Sequence, residues 1–171
     1  NTLSAANAYS SAMFYLVTYV LTTLGTFGLI MVLSRQGFES EEIEDLAGLS
    51  RRAPWMAGVM TVLMFSLAGV PPMVGFFGKL AVIQALVSTN VTLYIVMAIV
   101  AVMFSLIGAF YYLRVVKVMW FDEPVDEQPI VRARGVTLLL ALNGAAVLLF
   151  GVFSGGLMAI CRDAIQRTFT S

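Results

Sequence analysis

The chain has 171 residues, 60% of them hydrophobic and 12% charged, with ten cations against ten acids and a mean hydropathy of +0.91. A soluble domain carries about 25% charged residues, so the chain reads as an all-α polytopic membrane protein, and its zero net charge offers nucleic acid no footing. The lack of histidine and the single cysteine, Cys161, exclude an internal disulfide and a cysteine-based zinc or iron–sulfur site within the chain; Cys161 is read as a small apolar filler near a helix end.

Residues 1–8 are small and polar and are expected at a surface. The sequence starts at Asn1 rather than methionine, which is read as a fragment of a longer chain. The first apolar run has no basic leader and is too long for a signal peptide. From Tyr9 to Leu33 only hydroxyls and glycines interrupt it, and a span needs about 20 residues, so residues 9–33 are read as the first span. Gly25 and Gly28 would let another helix approach closely. Thr18, Thr22 and Thr23 either pack or line a water path. Packing is favoured, because a helical threonine can bond its own preceding turn.

Residues 34–53 form a polar connection containing Glu39, Glu41, Glu42, Glu44 and Asp45, then Arg51 and Arg52. A short helix is expected there, resting Ile43, Leu46 and Leu49 on the membrane part. The acids lack the regular spacing and central glycine of a calcium loop.

Pro54 suits a first helical turn, and Trp55 a membrane interface. The apolar run then continues to Val87. As one straight helix it would be roughly 51 Å long at ~1.5 Å per residue, against a hydrocarbon core of ~30 Å. No polar turn divides it into two spans. Gly69, Pro71 and Pro72 interrupt it, with Gly75 and Gly78 close behind. Proline has no N–H, its ring strikes the carbonyl four residues back, and it pushes its predecessor out of the α region. The expectation is one discontinuous helix over 54–87, opened near Val70–Gly75. Opened backbone at membrane depth is tolerated only inside protein or beside water. Gly75-Phe-Phe-Gly78 is too short and apolar to cradle phosphate, and is read as flexibility or close packing.

Ser88-Thr89-Asn90 reads as a turn, residues 91–118 as the third span, 121–134 as a polar loop and 135–160 as the fourth span, loosened by Gly151, Gly155 and Gly156. Arg114, Lys117 and Trp120 end the third span, and Tyr111 and Tyr112 just inside that end fit an aromatic belt. Arg35, Arg51, Arg52, Arg114, Lys117, Arg132 and Arg134 fall on one side of this topology, and Arg162 and Arg167 on the other. The positive-inside rule puts the first group in the cytoplasm and both ends of the chain opposite.

The remaining cation, Lys79, is the one ionisable group far from any span end. A lysine at the bilayer centre costs roughly 2.5–3.5 kcal/mol on insertion scales. It either bonds structural carbonyls or snorkels to the interface, or it carries protons, because desolvation brings lysine ionisation within reach of neutral pH. The adjacent break favours proton carriage. No catalytic triad, phosphate loop or pair of carboxylates lies within a span.

Three stretches carry a family resemblance: Asp45-Leu-Ala-Gly-Leu-Ser-Arg-Arg-Ala-Pro-Trp55, Ser66-Leu-Ala-Gly-Val-Pro-Pro-Met-Val-Gly-Phe-Phe-Gly-Lys79 and Tyr111-Tyr-Leu-Arg-Val-Val-Lys-Val-Met-Trp-Phe121. Essentially the whole chain resembles the carboxy-terminal third of the subunit N family of NADH–quinone oxidoreductase, respiratory complex I. The resemblance implies a fragment of a fourteen-helix antiporter-like fold, with residues 54–88 as its second broken helix and Lys79 as a proton-channel lysine opening toward the periplasm. It implies an inner-membrane location with both ends periplasmic, other complex I membrane subunits and lipid as partners, and no cofactor in this chain. NADH, FMN, iron–sulfur clusters and quinone would belong to partner subunits. Two alternatives stay open: a subunit of a multisubunit sodium/proton antiporter, and a structural membrane scaffold.

Overall fold

The computed structural model describes residues 2–34, 42–124 and 134–170. Every element among them is a helix: α1 (Thr2–Ser34), a 3-10 turn (Ile43–Leu46), α2 (Leu49–Arg52), α3 (Pro54–Ala68), α4 (Val74–Val87), α5 (Thr92–Phe121), α6 (Arg134–Val152) and α7 (Ser154–Thr170). Arg35, Glu39, Glu41 and Arg132, used above to describe the polar connections, lie outside the described residues.

Segments Ala5–Ser34, Thr92–Phe121 and Gly135–Val152 are each long and apolar enough to cross a membrane. α3 and α4 are apolar but short, roughly 22 Å and 21 Å at ~1.5 Å per residue. Together they make the discontinuous span the prolines foretell. This broken pair lies at the centre, with α1, α5 and α6 packed around it and α7 against α1. The core runs along the inner faces of these helices, from Phe14 and Leu29 on α1 through Met60, Leu63 and Val74 to Val147. α5 is the outlying helix: Leu93, Phe104, Leu106, Phe110 and most of its other large apolar residues face outward.

Local chemistry sets the boundaries. Pro54 opens α3 at a position where its missing N–H costs nothing. The predicted turn after α4 is present: Asn90 takes the left-handed conformation (φ 54°) that asparagine tolerates, and Thr89 Oγ1 bonds Leu86 O at 2.8 Å. In the polar connection Leu46 and Leu49 are buried and Ile43 partly so, and Gly48 N–H donates to Val118 O of α5 at 3.3 Å.

The last apolar run departs from a single helix over 135–160. It divides at Phe153, and helix then continues to Thr170. A Cβ on Gly151 would meet Pro72 O, so α6 ends pressed against the opened backbone of the central pair. The first and third helices also overrun their expected spans, reaching back to Thr2 and on to Phe121, because a helix can leave the apolar layer without ending.

Candidate functional site: the helix break and Lys79

Four carbonyls at the end of any helix lack an intrahelical donor. At the end of α3 these belong to Phe65, Ser66, Leu67 and Ala68. Gly69 adopts φ 85°, which a glycine reaches without steric cost. Its N–H reaches Ser66 O at 3.1 Å, and the Val70 N–H reaches Phe65 O at 2.9 Å. This is the Schellman arrangement, and it satisfies two of the four. Pro71 and Pro72, joined by a cis peptide bond, have no N–H to offer the rest. Leu67 O and Ala68 O are thereby left for a donor from elsewhere.

That donor is Lys79. It sits on the second turn of α4, and its side chain runs back past Gly69 to the end of α3. Nζ donates to Leu67 O at 2.7 Å, to Ala68 O at 3.2 Å and to Ser105 Oγ of α5 at 2.8 Å. A Cβ on Gly69 would stand 3.2–3.3 Å from Lys79 Cδ and Nζ. The cation therefore rests on the negative end of the α3 dipole as well as on its unpaired carbonyls. The side chain is half-buried and turned inward among three helices.

The other side of the break is held by Ser66. The residue before α4, Met73, has no side chain able to cap it. Ser66 Oγ, nine positions upstream, accepts the Gly75 N–H at 3.1 Å and lies 3.2 Å from Thr22 Oγ1 of α1. Ser66 and Thr22 are both fully buried. One hydroxyl thus ties the two half-helices to each other and to α1.

Of the residues singled out as the break, Gly69, Pro71 and Pro72 lie in the opening, whereas Gly75 and Gly78 lie inside α4. They serve close approach. A Cβ on Gly75 would meet Ser66 O, and one on Gly78 would stand 2.7 Å from Thr18 Oγ1. Thr18 and Thr22 bond Tyr15 O and Thr18 O of their own helix and are buried, which is the packing role favoured above. Gly25 and Gly28 face α6, where a Cβ on Gly25 would meet Asn143 Oδ1 and one on Gly28 would touch Leu140.

Sequence reasoning missed Ser66, Ser105 and Asn143. Ser105 left a signal: between Thr92 and Phe121 it is the only serine, and Thr92 stands at the very start of the helix. Asn143 is the one side-chain amide of α6. Its Nδ2 donates to Leu21 O at 3.0 Å, while Oδ1 is buried with no partner among the described residues.

Residues 2–105 match the family described as NADH:quinone oxidoreductase/Mrp antiporter, TM. The chain is similar to NADH-quinone oxidoreductase subunit N of Herminiimonas arsenicoxydans, with 60% identity over 98% of this chain and 33% of that protein. It is similar to the protein of the same name in Cupriavidus taiwanensis, with 58% identity over 98% of this chain and 33% of that protein. The chain spans about a third of the length of these curated relatives. Among solved structures it resembles a chain of respiratory complex I from Thermus thermophilus with bound aureothin, at 25% identity and a TM-score of 0.69, covering 88% of this chain and 34% of that one.

Proposed function

From the premise that this chain belongs to the NADH:quinone oxidoreductase/Mrp antiporter family of membrane proteins, we propose that it is part of a proton-translocating subunit of an NADH–quinone oxidoreductase, and that Lys79 carries the proton. One observation supports this above the rest. Opening the helix leaves two carbonyls at membrane depth, and a single lysine is folded back to meet them. The lysine meets carbonyls rather than a carboxylate. Its charge is stabilised by dipoles that stay put whether or not the proton is there, and proton release therefore leaves no unpaired acid behind. The partner helices α1 and α4 are clamped through Ser66, Thr22 and Gly78, which keeps the amine at a fixed depth while its charge changes.

In this reading Gly69, Pro71 and Pro72 expose the carbonyls and Gly75 and Gly78 seat α4. The redox chemistry of NADH, FMN, iron–sulfur clusters and quinone belongs to partner subunits. Its contribution here is conformational or electrostatic pressure on Lys79, whose proton leaves toward the periplasm. The chain would be a multi-pass inner-membrane component with both ends periplasmic, flanked by other complex I membrane subunits and lipid. The sodium/proton antiporter reading rests on the same break and lysine. The relatives reported above, named as oxidoreductase subunits, favour the first.

The test is Lys79→Ala in the assembled bacterial complex, reconstituted into vesicles. Proton uptake per quinone reduced should fall while the complex still assembles. Unchanged proton uptake would reduce Lys79 to a structural plug for two carbonyls and leave the scaffold reading standing.

A further inference from the structure

An ammonium has three N–H donors, and Lys79 has three acceptors around it: Leu67 O, Ala68 O and Ser105 Oγ. The charged form is completely satisfied. The neutral form is a different problem. Loss of a proton leaves two N–H groups and one lone pair, so one of the three neighbours must face the lone pair. A carbonyl can only accept, and would set lone pair against lone pair. A hydroxyl both donates and accepts. Ser105 is the one neighbour of the three that can serve both states.

Its hydroxyl is also free to do so. Thr22, Thr26 and Thr61 each point the hydroxyl proton at the carbonyl one turn back in their own helices. The Ser105 hydroxyl is instead engaged with Lys79, with no such back-bond among the described residues. It comes from α5, a different element from either half of the broken helix, so it ties the amine to a second helix besides α3.

We propose that Ser105 is the positioning residue for Lys79. Its hydroxyl accepts from the ammonium, then turns about its C–O bond to donate to the neutral amine. The amine thus stays at the end of α3 in both protonation states. The proton leaves Nζ for a water molecule, the electrons of the broken N–H bond remain as the nitrogen lone pair, and Ser105 keeps its own proton. Return of a proton from water reverses each change. This inference rests on the reading of Lys79 as the proton carrier.

The experiment uses the assembled complex with the full-length subunit, reconstituted into vesicles, and measures proton uptake per quinone reduced. Ser105→Ala, Ser105→Val and Ser105→Thr are compared with Lys79→Ala. Valine and threonine have the same shape and differ in the hydroxyl. Loss of one hydrogen bond to a charged group weakens the held state by at least about tenfold, so Ala and Val should clearly lower proton uptake per quinone reduced, while Thr should stay within about twofold of the parent. Thr and Val behaving alike, whether both active or both impaired, overturns the proposal. So does failure of Ser105→Ala to assemble, which would assign Ser105 to packing. If Lys79→Ala pumps normally, the proton-carrier reading itself falls. If Lys79→Ala is impaired and Ser105→Val is not, the role of Ser105 alone falls.

Discussion

Ser66 Oγ accepts the Gly75 N–H at 3.1 Å, so the first half of the broken helix caps the second. A local N-cap one residue before the helix is the ordinary solution. Here proline occupies the approach and methionine the cap position, and the capping oxygen comes from nine residues upstream. The break is therefore a built joint with its own hydrogen bonds.

Removing that oxygen should loosen the joint. Ser66→Ala leaves the Gly75 N–H and Thr22 Oγ1 without their shared partner in a buried place, a loss of about 1–2 kcal/mol. A lower melting temperature of the purified complex, or faster amide exchange at residues 74–76, would show it. Ser66→Thr keeps the oxygen and should recover most of the loss if the buried site admits one methyl.

Two helical glycines of the broken span should respond in opposite directions. Gly75→Ala drives a methyl into the Ser66 carbonyl, which is backbone and cannot step aside. Gly58→Ala, inside α3, meets nothing within 4 Å. Alanine there should stabilise by about 0.5–1 kcal/mol through helix propensity. Gly75→Ala should impair assembly, seen as loss of the subunit from the membrane fraction, while Gly58→Ala accumulates normally. Equal behaviour would mean that α3 and α4 do not meet as described.

The main features of this joint are written in the residues, and the finer ones are not. Two prolines in an apolar run deny the chain two donors whatever surrounds it, so the break is legible without coordinates. Lys79 is legible for the same kind of reason: it is the one charge in a place that taxes charge. Serine and threonine carry a fainter mark: Ser105 stands out only as the lone serine of its helix, and nothing in that says what it bonds. A helical hydroxyl that bonds its own turn, as Thr26 does, looks identical in sequence to Ser66 or Ser105, which bond across helices. The division at Phe153 was hidden for a related reason. Gly151, Gly155 and Gly156 mark a loosened stretch, but the approach of Gly151 to Pro72 O joins residues far apart in the chain.

The exposed ion pair should matter little. Arg114 Nη2 lies 2.9 Å from Glu44 Oε1, but both side chains are about half in solvent. Pairs of this kind contribute about 0–1 kcal/mol and are screened by salt. Arg114→Ala should leave assembly and melting temperature nearly unchanged. A large loss would show that this end of α5 meets another protein surface in the assembled complex.

Asn143 and Gly25 should be coupled. The amide is drawn so close to α1 that a methyl on Gly25 would strike its Oδ1, with Cγ at 2.9 Å and Leu63 Cδ1 at 3.0 Å. Gly25→Ala alone must push Asn143 aside and break its 3.0 Å bond to Leu21 O. Asn143→Ala alone loses that bond, about 0.5–1.5 kcal/mol, and leaves space between α1 and α6. Asn143→Ala removes the obstacle to the methyl on Gly25, and that methyl in turn fills volume the amide has vacated. Residues in direct contact show interaction energies of about 0.5–3 kcal/mol in such cycles. The double variant should be more stable than the sum of the two single losses, by melting temperature of the purified complex. Simple additivity would place Asn143 away from Gly25 and with it the whole register of α6 against α1.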